Sequence, residues 1–291
     1  MTTSRVISRI ILGVAVLAIS FASVIPAGAQ AAPEGGPAKC VNGMAGTYPC
    51  KNIDLLAHVP ITLANGGGVS DVWGWVDPET KKEWAILAGG GGIRFFDISK
   101  PTEPVYMGRM LGKADGTQLW QEIEIVNDHI YAVCDLNPCG LQIFDLSRLR
   151  GVEAALPVWR PDVGLPVGTS HSIASNPATN HIFLNGTALV AGPTVIMDVT
   201  QPLAPTPVGA MADDGYSHDS LCQNYKGPDK AYKGNEICFQ FNEDTVTIYD
   251  VTSNPTAPDQ LARETYDTAA YVHSGALTKD HSYLISTYEG D

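Results

Sequence analysis

The stretches "IRFFDISKPTEP" (93–104), "LQIFDLSRL" (141–149), "TVIMDVTQPLAP" (194–205) and "VTIYDVTSNPTAP" (246–258) share one grammar. Each is an apolar run closed by Asp, then an apolar residue, then Ser or Thr, and three of the four continue into prolines. The closing aspartates Asp97, Asp145, Asp198 and Asp250 are spaced 48, 53 and 52 residues apart. A period of this length with strand-like content predicts the blades of a propeller rather than a helical solenoid. Side-chain oxygens of Asp and Ser/Thr satisfy backbone donors where a strand turns out of a sheet, so these aspartates read as structural.

A second phrase recurs between those endings. "NDHIYAV" (127–133), "TNHIFLN" (179–185) and "KDHSYLI" (279–285) are turn residues followed by a β-rich run, with "TKKEWAIL" (80–87) and "KGNEICF" (233–239) at the same place in two other repeats. Each repeat therefore reads as strand A, tight turn, strand B, turn, strand C ending in Asp, and strand D after the prolines. The glycines of "AGGGGIRF" (88–95) read as the B–C hairpin of the first blade, since the Lys-Ser/Thr ending of a phosphate cradle is missing. The expected fold is all-β: a propeller of four-stranded blades of about 50 residues, four complete and a fifth partial. The segment "KNIDLLAHVPI" (51–61) resembles a lone strand D placed to close the ring. The chain stops after "HSYLISTYEGD" (281–291), inside the fifth blade, and the expectation is a C-terminally truncated product of a longer gene.

The N-terminus reads as a signal peptide over residues 1–29. Arg5 and Arg9 precede an apolar run from Ile10 to Ile25 and the small-residue exit Ala27-Gly28-Ala29. The run is shorter than the roughly 20 residues of a membrane span, and no arginine pair or lipid-acceptor cysteine points to another route. Export by the general secretory route to the periplasm, cell surface or medium is expected, with residues 30–50 a linker and 51–291 the propeller. The formal charge is −13, and loss of the two arginines makes the mature chain more acidic still. Such a surface opposes nucleic acid, whose binding depends on displacing phosphate counterions with basic residues. All six cysteines lie beyond the signal, an even number in an exported chain, which favours disulfides. The reading adopts the three sequence-local pairs, Cys40–Cys50, Cys134–Cys139 and Cys222–Cys238; no Cys-x-x-Cys metal motif occurs.

Chemistry concentrates at the start of each strand A: Asp71 in "SDVWGW", Glu122 in "WQEIEI", His171 in "TSHSIA", His218 in "YSHDSL" and His273 in "YVHSGA". Their spacings of 51, 49, 47 and 55 match the blade period. Strand A is the innermost strand of a blade, so these side chains are placed to meet at one mouth of the channel. Imidazoles and carboxylates together suit a divalent metal ion, with Glu122, His171, His218, Asp219 and His273 as ligands and Asp71 and Glu289 as further candidates. With an open coordination position such an ion activates water, and Glu122 or Asp219 would accept the proton. The competing reading is a polar channel without a ligand, because repeats place like residues in like positions. A serine triad from Ser172, Ser217 or Ser220 is disfavoured by strand alternation and by the missing Gly-x-Ser-x-Gly elbow. His129, His181 and His281 read as solvated turn residues, and Trp73, Trp75, Trp84 and Trp120 as inter-blade core.

The stretches "NGMAGTYPCKNIDLLAHVPI" (42–61), "VWGWVDPET" (72–80), "DGYSHDSLCQNYKGPDKAYKGNEICFQFNEDTVTIYDVT" (214–252) and "VHSGALTKDHSYL" (272–284) resemble the choice-of-anchor B family with its LVIVD-type repeats. The resemblance runs from about Cys40 to the last residue. It implies exported bacterial β-propellers of about seven blades with a variable C-terminal surface anchor. It also implies an acidic residue at Glu122, histidines at His171, His218 and His273, and an acidic cluster represented here by Glu289 and Asp291. It implies no reaction. Three functions follow: a non-enzymatic surface or secreted module binding an extracellular protein, carbohydrate or small ligand; a metal-dependent hydrolase or lyase on the propeller axis; and a purely structural or adhesive repeat domain. No nucleotide or organic cofactor is expected.

Overall fold

The computed structural model describes residues 37–60, 68–112, 120–153, 156–266 and 271–289; the signal segment and Asp291 lie outside them. A small hairpin, β1 (Met44–Ala45) and β2 (Tyr48–Pro49), opens the described chain and is clasped by the Cys40–Cys50 disulfide. Sheet I holds β3 (Val69–Val76), β4 (Glu83–Gly89), β5 (Ile93–Asp97) and β6 (Val105–Met110) in antiparallel order. Sheet II is built from β7 (Gln121–Val126), β8 (His129–Cys134) and β9 (Leu141–Asp145). Its fourth strand is β11 (Val163–Leu165), because β10 (Val158–Trp159) pairs parallel with β6 and adds a fifth strand to sheet I. Sheet III runs β12 (Ser172–Asn176), β13 (His181–Asn185), β14 (Thr194–Asp198), β15 (Thr206–Met211), and sheet IV runs β16 (Asp219–Asn224), β17 (Glu236–Phe241), β18 (Val246–Asp250), β19 (Asp259–Glu264). The hairpin β20 (Val272–Leu277) and β21 (Leu284–Tyr288) begins the next repeat. The protein is all-β and propeller-like, with no α-helix among the described residues.

Strand boundaries follow from local chemistry. Asn127 and Asp128 both take positive φ, 50° and 58°, between β7 and β8, the geometry of the two-residue turn that Asn and Asp favour. All four repeat aspartates do the same job. Oδ1 of Asp97, Asp145, Asp198 and Asp250 accepts the backbone N–H two residues on, at 3.0, 2.8, 2.6 and 2.9 Å. The second strands β8 and β13 are apolar on both faces because both faces are covered. In β13, Ile182 and Leu184 join a core with Val133 and Ile143 of sheet II, while Phe183 turns the other way to Tyr249 of sheet IV.

The first strands β3, β7, β12, β16 and β20 stand side by side in chain order. Their main chains are stitched by side chains of the neighbouring strand. Ser70 Oγ donates to the Gln121 carbonyl at 2.6 Å, Asp71 accepts the Ile123 N–H at 2.8 Å, and Glu122 accepts the Ile173 N–H at 3.3 Å. Ser172 Oγ donates to the His218 carbonyl at 2.9 Å. These bonds satisfy polar groups that the inner edge of each sheet would leave unpaired.

Two expectations about strands fail. Residues 51–60 make no strand, only a bridge from Leu55 to Ala38. Asp54 is held by Lys39 at 2.6 Å and by the Cys40 N–H at 2.9 Å, which commits the segment to the N-terminal hairpin and leaves Ile53 exposed. The connection after β9 also departs from the repeat. Without prolines after Asp145, the chain makes a 3-10 turn over Leu146–Leu149 and then wanders back to sheet I as β10.

Candidate functional site

A cavity of about 260 Å³ opens at the starts of the first strands, lined by Glu122, His171, His218, Asp219, His273 and Glu289 together with Ser70, Ser172, Val69 and Trp120. The hydrogen-bond registers split the periodic set into two rows. Asp71 reaches Ile123 as Glu122 reaches Ile173, so Ile123 and Ile173 are equivalent and the partner of Glu122 in sheet III is Ser172, not His171. Ser170 and Ser217 each bond the carbonyl two residues ahead, which aligns His171 with His218 and Ser172 with Asp219. One row is therefore carboxyl-rich (Asp71, Glu122, Asp219) and the next imidazole-rich (His171, His218, His273). The spacing of 49 between Glu122 and His171 concealed this single-residue offset.

The three imidazoles stand in contact. Ring centroids of His171 and His218 are 4.0 Å apart, and those of His218 and His273 are 4.5 Å apart. His218 is buried, and burial with the flanking His171 and His273 pushes it down to about 4, so it is neutral at physiological pH. Its Nδ1 lies 3.2 Å from the His273 carbonyl oxygen, which only accepts; Nδ1 is thereby assigned the proton and Nε2 a lone pair. That Nε2 stands 3.8 Å from Oε2 of Glu289, and His273 Nε2 stands 3.7 Å from the same oxygen. With His218 neutral, the shorter-range attraction of an ion pair is missing there. His171 is engaged elsewhere, its Nδ1 3.2 Å from Oδ2 of Asp135.

The carboxyl row is electrostatically tense. Burial, then the negative charges of Asp219 and Asp71, raise Glu122 well above the ordinary carboxyl range. Burial pushes Asp219 up to about 6 and Glu124 up to about 8, and also raises Asp71. Such a row favours protons or a cation.

The donor set fits a divalent ion at one corner of the cavity. His218, His273 and Glu289 each offer an atom, all within 4.8 Å of one another. Ligands at about 2.0–2.2 Å around a tetrahedral ion stand roughly 3.4 Å apart, a spacing approached by the 3.8 and 3.7 Å from Glu289 Oε2 to Nε2 of His218 and His273. The Nδ1–carbonyl bond of His218 is the outer support that metal-ligating histidines usually have. Among the described residues His171, Glu122, Asp219 and Asp71 fall outside this triplet.

Two residues at the site escaped sequence reasoning. Asp135 follows Cys134 in the loop closed by the Cys134–Cys139 disulfide, and Tyr271 packs edge-on to His218 at 5.3 Å. Trp120, expected in the core, is 52% exposed at the cavity, and Trp73 is 39% exposed on β3, whereas Trp75 and Trp84 are core residues. His181 and His281, expected to be solvated, are not: His181 Nδ1 pairs with buried Glu236 at 2.8 Å, and His281 is buried and takes the Lys226 N–H at 3.3 Å. Nothing in the local turn sequence marks those distant partners. All three local disulfides form as expected.

No protein-family model and no curated protein matches the chain. Solved structures do. A functionally unknown protein from Desulfotomaculum acetoxidans matches at TM-score 0.50 and 12% identity over 75% of this chain and 62% of its own. The Dos1 propeller matches at 0.49 and 12% over 78% and 54%, and a Lactobacillus plantarum protein at 0.46 and 13% over 75% and 59%. The chain thus spans about three fifths of the length of these structures, and the likeness concerns fold alone. Three disulfides suit an oxidising, extracellular or periplasmic setting. No helix of the described residues is long and apolar enough to cross a membrane.

Proposed function

We propose that this chain is an exported interaction module, its sheets the blades of a propeller, that holds a divalent metal ion at the channel mouth through His218, His273 and Glu289. The observation that carries the reading is the buried, neutral His218, its Nδ1 engaged by a carbonyl and its Nε2 aimed at Glu289 beside His273. When bound, the ion supplies a fixed positive charge that offsets the carboxyl row and an open position for a ligand's oxygen or nitrogen. Two imidazoles and one carboxylate suit zinc and its transition-metal neighbours better than calcium or magnesium. Export after removal of residues 1–29 and membership of the choice-of-anchor B family belong to the same reading, supported by the stretches that resemble that family.

A second reading, a metal-dependent hydrolase or lyase, is favoured by one observation: Glu122 and Asp219 share the cavity with the triplet. The test for both is the purified protein dialysed against zinc, then assayed for metal content and melting temperature. One equivalent of zinc and a stabilisation that vanishes in both His218→Ala and His273→Ala support the site; equal zinc in the wild type and the double variant overturns it. Zinc-dependent turnover of ester or phosphoester probes, lost in Glu122→Gln, would move the reading to the enzyme.

A further inference from the structure

Beyond the metal corner, a larger cleft of about 450 Å³ lies along the first strands of sheets III and IV, faced by Trp73 of β3 and Glu124 of β7. Its size falls in the range of about 300–1,000 Å³ typical of small-molecule sites. Trp73 is 39% exposed here, although Trp75, two residues on in the same strand, is packed in the core. A partly exposed indole on the wall of a concave site presents apolar surface to whatever enters it. Around it stand hydrogen-bonding groups: Ser175 Oγ, 2.8 Å from Glu124 Oε2, the exposed Gln223, and Asn224, which accepts from Asn176 at 3.0 Å. Ser220 Oγ, on the same wall, is 95% buried by its residue's exposure of 5% and has no hydrogen-bond partner among the described residues.

We propose that this cleft binds a neutral saccharide, one ring of which stacks on Trp73 while its hydroxyls meet Ser175, Glu124 and the Gln223 amide. A sugar ring matches the two kinds of surface: its C–H face is apolar and flat enough for an indole, and its rim is donors and acceptors throughout. An anion would find one cation on the lining, Lys226, against the chain's formal charge of −13. A purely apolar ligand would cover the Gln223 and Asn224 amides without offering them partners. The cleft shares no residue with the metal triplet, so the two sites stand or fall separately.

The test is titration of the intact protein with cellohexaose, maltohexaose and the hexasaccharides of N-acetylglucosamine and glucosamine, by calorimetry and tryptophan fluorescence, with and without chelator. At least one neutral hexasaccharide should bind at up to millimolar concentration and quench fluorescence, unchanged by chelator. Trp73→Ala should weaken it about tenfold or more, and Trp120→Ala, at the opposite cavity, should leave it unaltered. If Trp73→Ala does not fold, Gln223→Ala at the exposed rim carries the test with a several-fold loss. No binding by any neutral sugar, binding by the cationic glucosamine oligomer alone, or binding indifferent to these variants overturns the proposal.

Discussion

Glu124 shows how far a single residue is altered by where the repeat puts it. Burial pushes its carboxyl up to about 8, against about 4.3 in an unfolded chain. Below the unfolded value both states hold the proton. As pH rises the unfolded chain ionises first, and the folded state loses ground until its own carboxyl ionises near 8. The stability tied to this raised value is fully present at low pH and is lost across that interval. Glu124→Gln should therefore flatten the pH dependence of urea unfolding, gaining on the order of 4 kcal/mol relative to wild type between about pH 5 and about pH 8. Parallel profiles for the two proteins would refute the shift. At this scale the sequence was partly readable. The four aspartates announced their role because it is local, two residues from donor to acceptor. His218, His273 and Glu289 were among the named candidates, but the alignment of the rows was not foreseen, since loop lengths between repeats absorb one residue without changing the count visibly.

β10 is the element that the repeat did not foretell. It is two residues long, follows Pro157, and pairs parallel, so it carries none of the alternation that marks a strand. What fixes it is tertiary: Trp159 packs edge-on to Phe95 of sheet I at 5.4 Å and to Phe144 of sheet II at 5.7 Å. Trp159→Ala should cost about 2 kcal/mol, below the range for a fully buried tryptophan because the residue is partly exposed. Calorimetric melting checks this; a melting temperature within a degree or so of wild type would show that Trp159 merely covers the seam. The reverse error, reading residues 51–60 as a strand, has the same origin. An apolar, alternating segment was available, but Asp54 had local partners in Lys39 and Cys40 that pattern alone does not reveal.

For the whole molecule, the period near 50 residues was legible because each repeat must bury both faces of its sheet against its neighbours, and the apolar pattern records that need. The disulfides follow the same modular logic, each closing within one repeat or within the N-terminal hairpin. Cys222 and Cys238 face each other across β16 and β17, closing a loop of 16 residues. Replacing both with serine should lower stability by about 3 kcal/mol, read as a shifted urea midpoint with little change in slope. An unchanged midpoint would mean that sheet IV is held by its packing alone. The parallel pairing of β10 with β6 has a mechanical meaning that equilibrium stability hides. When tension is applied along the chain, an antiparallel hairpin can unzip one hydrogen bond at a time. The return of β10 to sheet I instead spans the seam between two repeats, so sheet II cannot be drawn away without first tearing a segment off its neighbour. The first two repeats are thereby yoked as one mechanical unit by paired strands, whereas sheet IV meets β20 through a single β-bridge, Glu243 with Val272.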